Sequence, residues 1–529
     1  MRYKALKKIK RALAILLALA SVICCAGCGA TATDASNVIP DSTGGTDVTR
    51  SAGVDDVFSL NCNVNYSFNP LIATNHSNQL VCSLVYENMI EMDDNFVTYD
   101  NILCNGACNE DGTAWTFEIA SGHSFHDGTP VTGKDLRYSL ERAINADRFR
   151  GRFAAYQGSN YDDGNFYVNL GIGDTQFDRL LTIPVIPAGS IDDKRPLGSG
   201  PYMYNEDQTA LIPYEGYPSE TAHPLDIIYL KQYADAESII SAFEDGIIDA
   251  VTNDPSSYTN LGYASTNETH AFATTNYHYV VVNQESVLGK YDSFRQAMTY
   301  AFDRNYFVEE LMHDNAAASS VPMYPTCADY PSEFADSIDY DLETCRTVLE
   351  NAGIKDYDDD GLLEYMSGSA QDIEIVFIVC SDSSAKTGVV RRFQDDMASI
   401  GLTIDVQELT WDNYLLALEE GEFDMYYGEV KLRNNFDITE LVDVDSELNF
   451  SRSRDTQCVN YVNEYLGASD MTRATVFKTL CEYLYTTGSL ISIGFEKQQL
   501  IVHRGVIKNL ETNMSNPLFH FMNWEITLK

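Results

Sequence analysis

Two hydrophobic periods alternate along this chain from Val54 to its C-terminus. Ile227–Tyr233 alternates apolar and polar positions, Ile373–Cys380 is mostly apolar, and Ile404 and Val406 share one face, so all three segments are predicted strands. Between such runs the spacing changes to three and four. Leu342, Cys345, Val348, Leu349 and Ala352 define one side of a helix that Asp341 can cap and Gly353 can end. Phe294, Ala297, Met298, Ala301 and Phe302 define another. The alternation argues for α/β layers in which helices cover a mixed sheet. No internal repeat interrupts it.

The N-terminus follows a different pattern. Arg2, Lys4, Lys7, Lys8, Lys10 and Arg11 precede the apolar run Ala12–Ile23, and small residues follow. A basic head and an apolar stem too short to span a bilayer predict a secretory signal over residues 1–27. Cys25-Ala26-Gly27-Cys28 resembles the bacterial lipoprotein box, which implies that Cys28 is the lipidated first residue of the mature protein. The usual Leu of that box is replaced by Cys25. The alternative is an ordinary signal with an incidental cysteine. Residues 28–53 are small, polar and aperiodic, a flexible tether holding the body off the membrane.

Composition narrows the partners. About 500 residues remain after the leader, enough for two to four domains, and a hydrophobic content of 44% is that of a globular protein. The formal charge is −43; six of the 35 basic residues and none of the 78 acids leave with the leader, so the mature value is 29 minus 78, or −49. Such a surface repels nucleic acid and anionic headgroups, and its simplest role is solubility. The nine cysteines beyond Cys28 are scattered and show no zinc spacing, which favours buried free thiols. No cofactor motif is present and none is expected.

Eight segments in order resemble the extracellular solute-binding proteins of family 5, the peptide- and nickel-binding components of ABC importers. Trp115–Leu136, continuing to Ala143, resembles the family signature: a strand, the turn His126-Asp127-Gly128-Thr129-Pro130, and a helix that Thr132 can cap. Phe68-Asn69-Pro70-Leu71 with Leu84–Ile90, Leu197–Tyr202, Ala242–Asp249, Asn283 with Phe294–Arg304, Tyr340–Gly353, Ile400–Ile404 and Trp411–Asp424 resemble further family segments. The resemblance implies a two-lobed, periplasmic-binding-protein-like α/β fold (type II, cluster C) with an extra domain inserted in the first lobe. Residues 54–275 would form lobe I, with the insertion at about 92–190; 276–495 would form lobe II, and 496–529 would return to lobe I. It also implies a monomeric receptor, without turnover, that closes on a peptide or peptide-like solute and delivers it to permease subunits and their ATPase. A nickel chelate, a sugar or another small solute is the alternative cargo.

Peptide-binding members of the family commonly hold the peptide amine with an aspartate shortly after a Gly-Trp pair. Here Gly428 precedes Glu429, and the nearest matching carboxylate is Asp437. Glu429, Arg433 and Asp437 are the resulting ligand candidates, with solvated loop charges as the competing reading. Thr74, Asn75 and His76 lie in a loop that the resemblance brings near the cleft, and Tyr156 offers an aromatic wall or simple packing. Asp356, Asp358 and Asp360 alternate before Gly361 as in a calcium loop, but Ser367 stands where the bidentate glutamate belongs, so a solvated turn is favoured. An extracellular hydrolase using Glu419 and Asp424 is the rival from another class, though no nucleophile elbow or metalloprotease pair is present.

Overall fold

The computed structural model describes residues 57–256 and 267–528. The leader, Cys28 and the tether lie outside them. The described residues build an 11-stranded mixed sheet that runs through both lobes. From one edge its order is Thr403–Leu409, Glu374–Cys380, Met425–Lys431, Glu268–Val282, Ile491–Val502, Ala250–Asn253, Phe58–Cys62, Ile228–Gln232, Ala210–Pro213 and Tyr202–Tyr204, with Ala316–Ala318 added onto Ile491–Val502. The first three strands are parallel to one another, as are Phe58–Cys62 and Ile228–Gln232; the second of them, Glu374–Cys380, is nearly continuous in apolar residues, as burial on both faces requires.

Glu268–Val282 and Ile491–Val502 are the long members that join the lobes. They pair antiparallel from Glu268–Val502 to Ala273–Lys497, lose register, and resume at Tyr277–Phe495. The expected boundaries at 275 and 495 fall inside these two strands. Beyond the break, alternation sorts the side chains: Tyr277, Tyr279 and Val281 enter one core cluster, Val280 and Val282 another. The first lobe has its own core around Phe58, Leu60, Leu84 and Trp115.

The signature segment behaves as its residues dictate. Trp115 and Phe117 point inward from Ala114–Ile119, which lies in a four-stranded sheet with Leu103–Cys108, Asn165–Leu170 and Tyr156–Tyr161. Gly128 supplies the left-handed turn (φ 84°). The helix Gly133–Ala143 opens with Asp135 accepting from the Thr132 hydroxyl at 2.6 Å and the Thr132 amide at 3.1 Å. Farther on, the Leu197–Tyr202 turn abuts the end of the helix His76–Val85: Gly200 N donates to Val85 O at 2.9 Å, and a Cβ on Gly198 would lie 1.9 Å from that same oxygen.

Some expected positions shift. The helix Leu342–Asn351 is capped by Asp341, which accepts from Glu343 N and Thr344 N at 3.0 Å, and Cys345 and Leu349 are its buried residues. Ala352 is exposed at its C-cap. The helix carrying Phe294 ends at Thr299, so Ala301 and Phe302 reach the core from the following turn. All nine described cysteines are unpaired; seven are buried, and Cys104 and Cys108 are partly exposed. No helix among the described residues is long and apolar enough to cross a membrane.

Candidate functional site

An open pocket lies on the first lobe where Lys431 of the second lobe reaches it. Pro70 and the helix His76–Val85 form one wall, and Arg148, Phe149 and Arg152 another. Lys431 enters from the second-lobe strand Met425–Lys431, where its backbone pairs with Asn276.

The two arginines are held in place by neutral groups. Arg148 Nη1 donates to Pro70 O at 2.6 Å, and Arg152 Nη1 donates to Thr182 Oγ1 at 3.2 Å. Both guanidinium groups lie over the Phe149 ring, 5.3 and 5.0 Å from its centroid. Solvent reaches Lys431 through the mouth of the cleft, yet its ammonium has neither a hydrogen bond nor an ion pair among the described residues.

Their electrostatics follow. Although solvent reaches Lys431, desolvation by the protein atoms around its ammonium holds it down to about 8, with Arg152 and Arg148 adding repulsion. Arg152 falls to about 10 through burial and then Arg148, while burial lowers Arg148. The His76 imidazole is lowered by burial, then by Lys431 and Arg148. The charges acting on the three cations are one another and the Cys82 thiol, and no carboxylate joins them.

Of the residues singled out in the sequence, His76 opens the helix that walls this cleft but does not itself line it. Asn75 caps the helix, accepting from Asn78 N at 3.1 Å, and Thr74 is exposed beside it. Glu429 pairs with Lys386 at 2.6 Å, which also holds Asp382 at 3.0 Å. Arg433 is engaged by Asp437 and, at 2.7 Å, by Glu440. Asp437 spends its other oxygen on Thr439, accepting from the amide at 2.8 Å and the hydroxyl at 2.5 Å. Tyr156 hydrogen-bonds Ser159 Oγ at 2.8 Å and neighbours Glu141 and Arg137. A Cβ on Gly428 would lie 2.4 Å from the Tyr279 ring, which explains the glycine without a following tryptophan.

Two carboxylate groupings have metal-ligand geometry. Asp356, Asp358, Asp360 and Glu364 bring oxygens within 4.8 Å of one another, and Glu364 rather than Ser367 is the fourth member. Asp356 accepts from Asp359 N and Gly361 N at 2.7 and 2.9 Å, so backbone donors close the turn. His278, Glu429 and Glu496 also converge, with His278 Nε2 2.9 Å from Glu496, but Lys386 occupies Glu429. The Glu419–Asp424 pair does not form a catalytic couple: Glu419 is exposed on its helix, while Asp424 accepts from Val376 N at 2.9 Å.

Arg148, Arg152 and Lys431 were not singled out in the sequence. Their one local signal is the spacing of two arginines about Phe149 just past the signature helix.

The lobes also touch at one side of the cleft. Asn435 Nδ2 donates to Asp174 Oδ2 at 2.8 Å, Thr175 N donates to Leu466 O at 2.8 Å, and Asn434 Nδ2 donates to Thr182 Oγ1 at 3.1 Å. Burial raises Asp174 to about 7.

Residues 103–435 match the bacterial extracellular solute-binding proteins, family 5 Middle. The chain is 21% identical over 368 residues to the oligopeptide-binding protein AppA of Bacillus subtilis, covering 65% of this chain and 67% of that one. It is 22% identical over 384 residues to heme-binding protein A of Haemophilus influenzae, covering 64% and 67%. In fold it is similar to the ABC transporter substrate binding protein CtaP of Listeria monocytogenes, with a TM-score of 0.69 at 16% identity over 89% of this chain and 100% of that one. NikZ of Campylobacter jejuni, solved with Ni(L-His), superposes with a TM-score of 0.62 at 16% identity over 89% and 99%. The chain thus belongs to the family 5 bacterial extracellular solute-binding proteins and is the substrate-binding component of an ABC importer.

Proposed function

We propose that this protein is a membrane-anchored, monomeric receptor that captures a peptide or peptide-like solute between its lobes and hands it to the permease. The observation that carries the reading is a cleft lined by first-lobe residues, Arg148 and Arg152 among them, that Lys431 enters from the second lobe. A solute touching both lobes favours the closed arrangement by its extra contacts there, which is what a capture-and-release cycle needs. The oligopeptide-binding relative supports peptide cargo.

A thermal-shift panel of di- to hexapeptides, amino acids, sugars and nickel chelates tests the cargo, since a saturable ligand stabilises the folded state by mass action. A rise with peptides supports the assignment; a rise only with sugars or chelates replaces it. For the anchor, Cys28→Ser is expected to release the protein into the medium, and continued membrane retention contradicts a lipid tether.

A further inference from the structure

We infer that the solute brings two or more oxyanion groups into the cleft and that Arg148, Arg152 and Lys431 receive them. This rests on the receptor reading above and specifies its cargo as a short acidic peptide or another small polycarboxylate.

Cations withdrawn from bulk water are normally matched by an acid or by backbone carbonyls. The buried cations elsewhere in this molecule follow that rule. Lys386 lies between Glu429 and Asp382, Arg433 between Asp437 and Glu440, and Arg473 against Asp470 at 2.6 Å. Arg304, with no carboxylate, donates to Ser492 O, Ile338 O and Thr299 O. The cleft differs from these sites: Arg148 and Arg152 are half-buried and Lys431 is open to solvent, yet all three line one pocket that no carboxylate lines. In a chain of net charge −43, three cations share one space without an acid.

The unused donors give the cluster its specificity. Arg148 and Arg152 each commit Nη1 to the protein, leaving Nε and Nη2 without a hydrogen-bond partner among the described residues. These groups remain reachable from the cleft. An arginine edge of this kind matches the two oxygens of a carboxylate. Lys431 supplies a point charge from the opposite lobe, so a solute with two separated anionic groups spans both walls. One carboxylate engages the arginine side and the other the ammonium. A neutral peptide offers only its C-terminal carboxylate, and its amine would meet three like charges.

Calorimetric titration of the full chain at low salt, with tri-alanine, Ala-Glu-Glu and propane-1,2,3-tricarboxylate as probes, tests the inference. At least one of the two acidic probes should bind about tenfold or more tightly than tri-alanine. Arg152→Gln and Lys431→Gln should each weaken that binding about tenfold or more, while Arg346→Gln, on an exposed helix face, serves as the control. Melting curves establish that each variant is folded, and Lys431, at a strand end open to solvent, is the substitution least dependent on packing. A response to the peptide alone assigns acidic peptides, and a response to the tricarboxylate without the peptide assigns non-peptide polycarboxylates. Tri-alanine binding as tightly as either acidic probe, or folded variants retaining full affinity for them, overturns the inference while the receptor reading stands. If no probe binds but the wider panel yields a neutral or cationic ligand, the inference again falls alone; if that panel is also silent, both fall.

Discussion

Asn435 donates its side-chain amide to the buried carboxyl of Asp174 at 2.8 Å, linking a loop of the second lobe to the first. Burial is the main cause of the rise of Asp174 from 3.8 to about 7, and the nearby Asp437 and Asp178 add to it. A folded-state value above the unfolded one means that the native protein holds the extra proton between those limits. The protonated carboxyl therefore contributes stability that is fully present below about pH 4 and is lost as pH rises through about 7. Asp174→Asn should flatten the pH dependence of the melting temperature across that window. A wild-type slope in the variant would dissociate the lobe contact from this proton.

Lys431 has the opposite sign. Its folded-state value near 8 lies below the ordinary 10.5, so the unfolded chain binds more protons between the two, and this group makes stability rise with pH across that interval. Solute affinity should move the other way. The groups facing Lys431 are Arg148, Arg152 and His76, with the Cys82 thiol held up at about 12, so the ammonium is the group that discharges first above pH 8. Titrations of an acidic probe from pH 7 to about pH 10 should show affinity falling above pH 8, with Lys431→Gln abolishing the fall.

Asp437 is expected to act through the fold. Its oxygens serve Arg433 and Thr439, so Asp437→Ala removes the acceptor of the half-buried Thr439 and one of the two acids on Arg433, and should lower unfolding free energy by about 1–3 kcal/mol. Chemical denaturation measures this. An affinity loss in a variant of unchanged stability would instead place the carboxylate against the solute.

Gly198→Ala is expected to destabilise by about 1–3 kcal/mol, because its Cβ would meet the Val85 carbonyl rather than a movable side chain. Gly164→Ala, where a Cβ would meet nothing within 4 Å, is the matched control and should stay within about 0.5 kcal/mol of wild type.

Local chemistry was the legible part of this protein. The turn at His126–Pro130, the Thr132 and Asp341 caps and the strand at Glu374–Cys380 all follow from neighbouring residues. The core stripe through Phe294 was readable too, but not its end at Thr299: Ala301 and Phe302 stay buried after the helix has stopped, and periodicity does not register that change. The cation cluster was hidden for a different reason. Arg148 and Arg152 look like a basic helical face, and Lys431 belongs to the other lobe; only the order of the strands and the packing of the lobes bring them together. Asp437 shows the converse. Its position after Gly428 suggested a ligand, whereas the loop consumes its hydrogen-bonding capacity.

The cations of the cleft have a kinetic consequence in so acidic a molecule. A carboxylated solute approaching from a distance meets repulsion from a net charge of −43, and attraction only within the mouth. Far-field and near-field forces then oppose each other, and dissolved salt acts on them unequally because the Debye length is about 10 Å at 0.1 M. Moderate ionic strength should speed the solute's arrival by screening the outer barrier, while the enclosed contacts set how long it stays. A receptor of this charge pattern should load an acidic solute more slowly in dilute medium than at moderate salt.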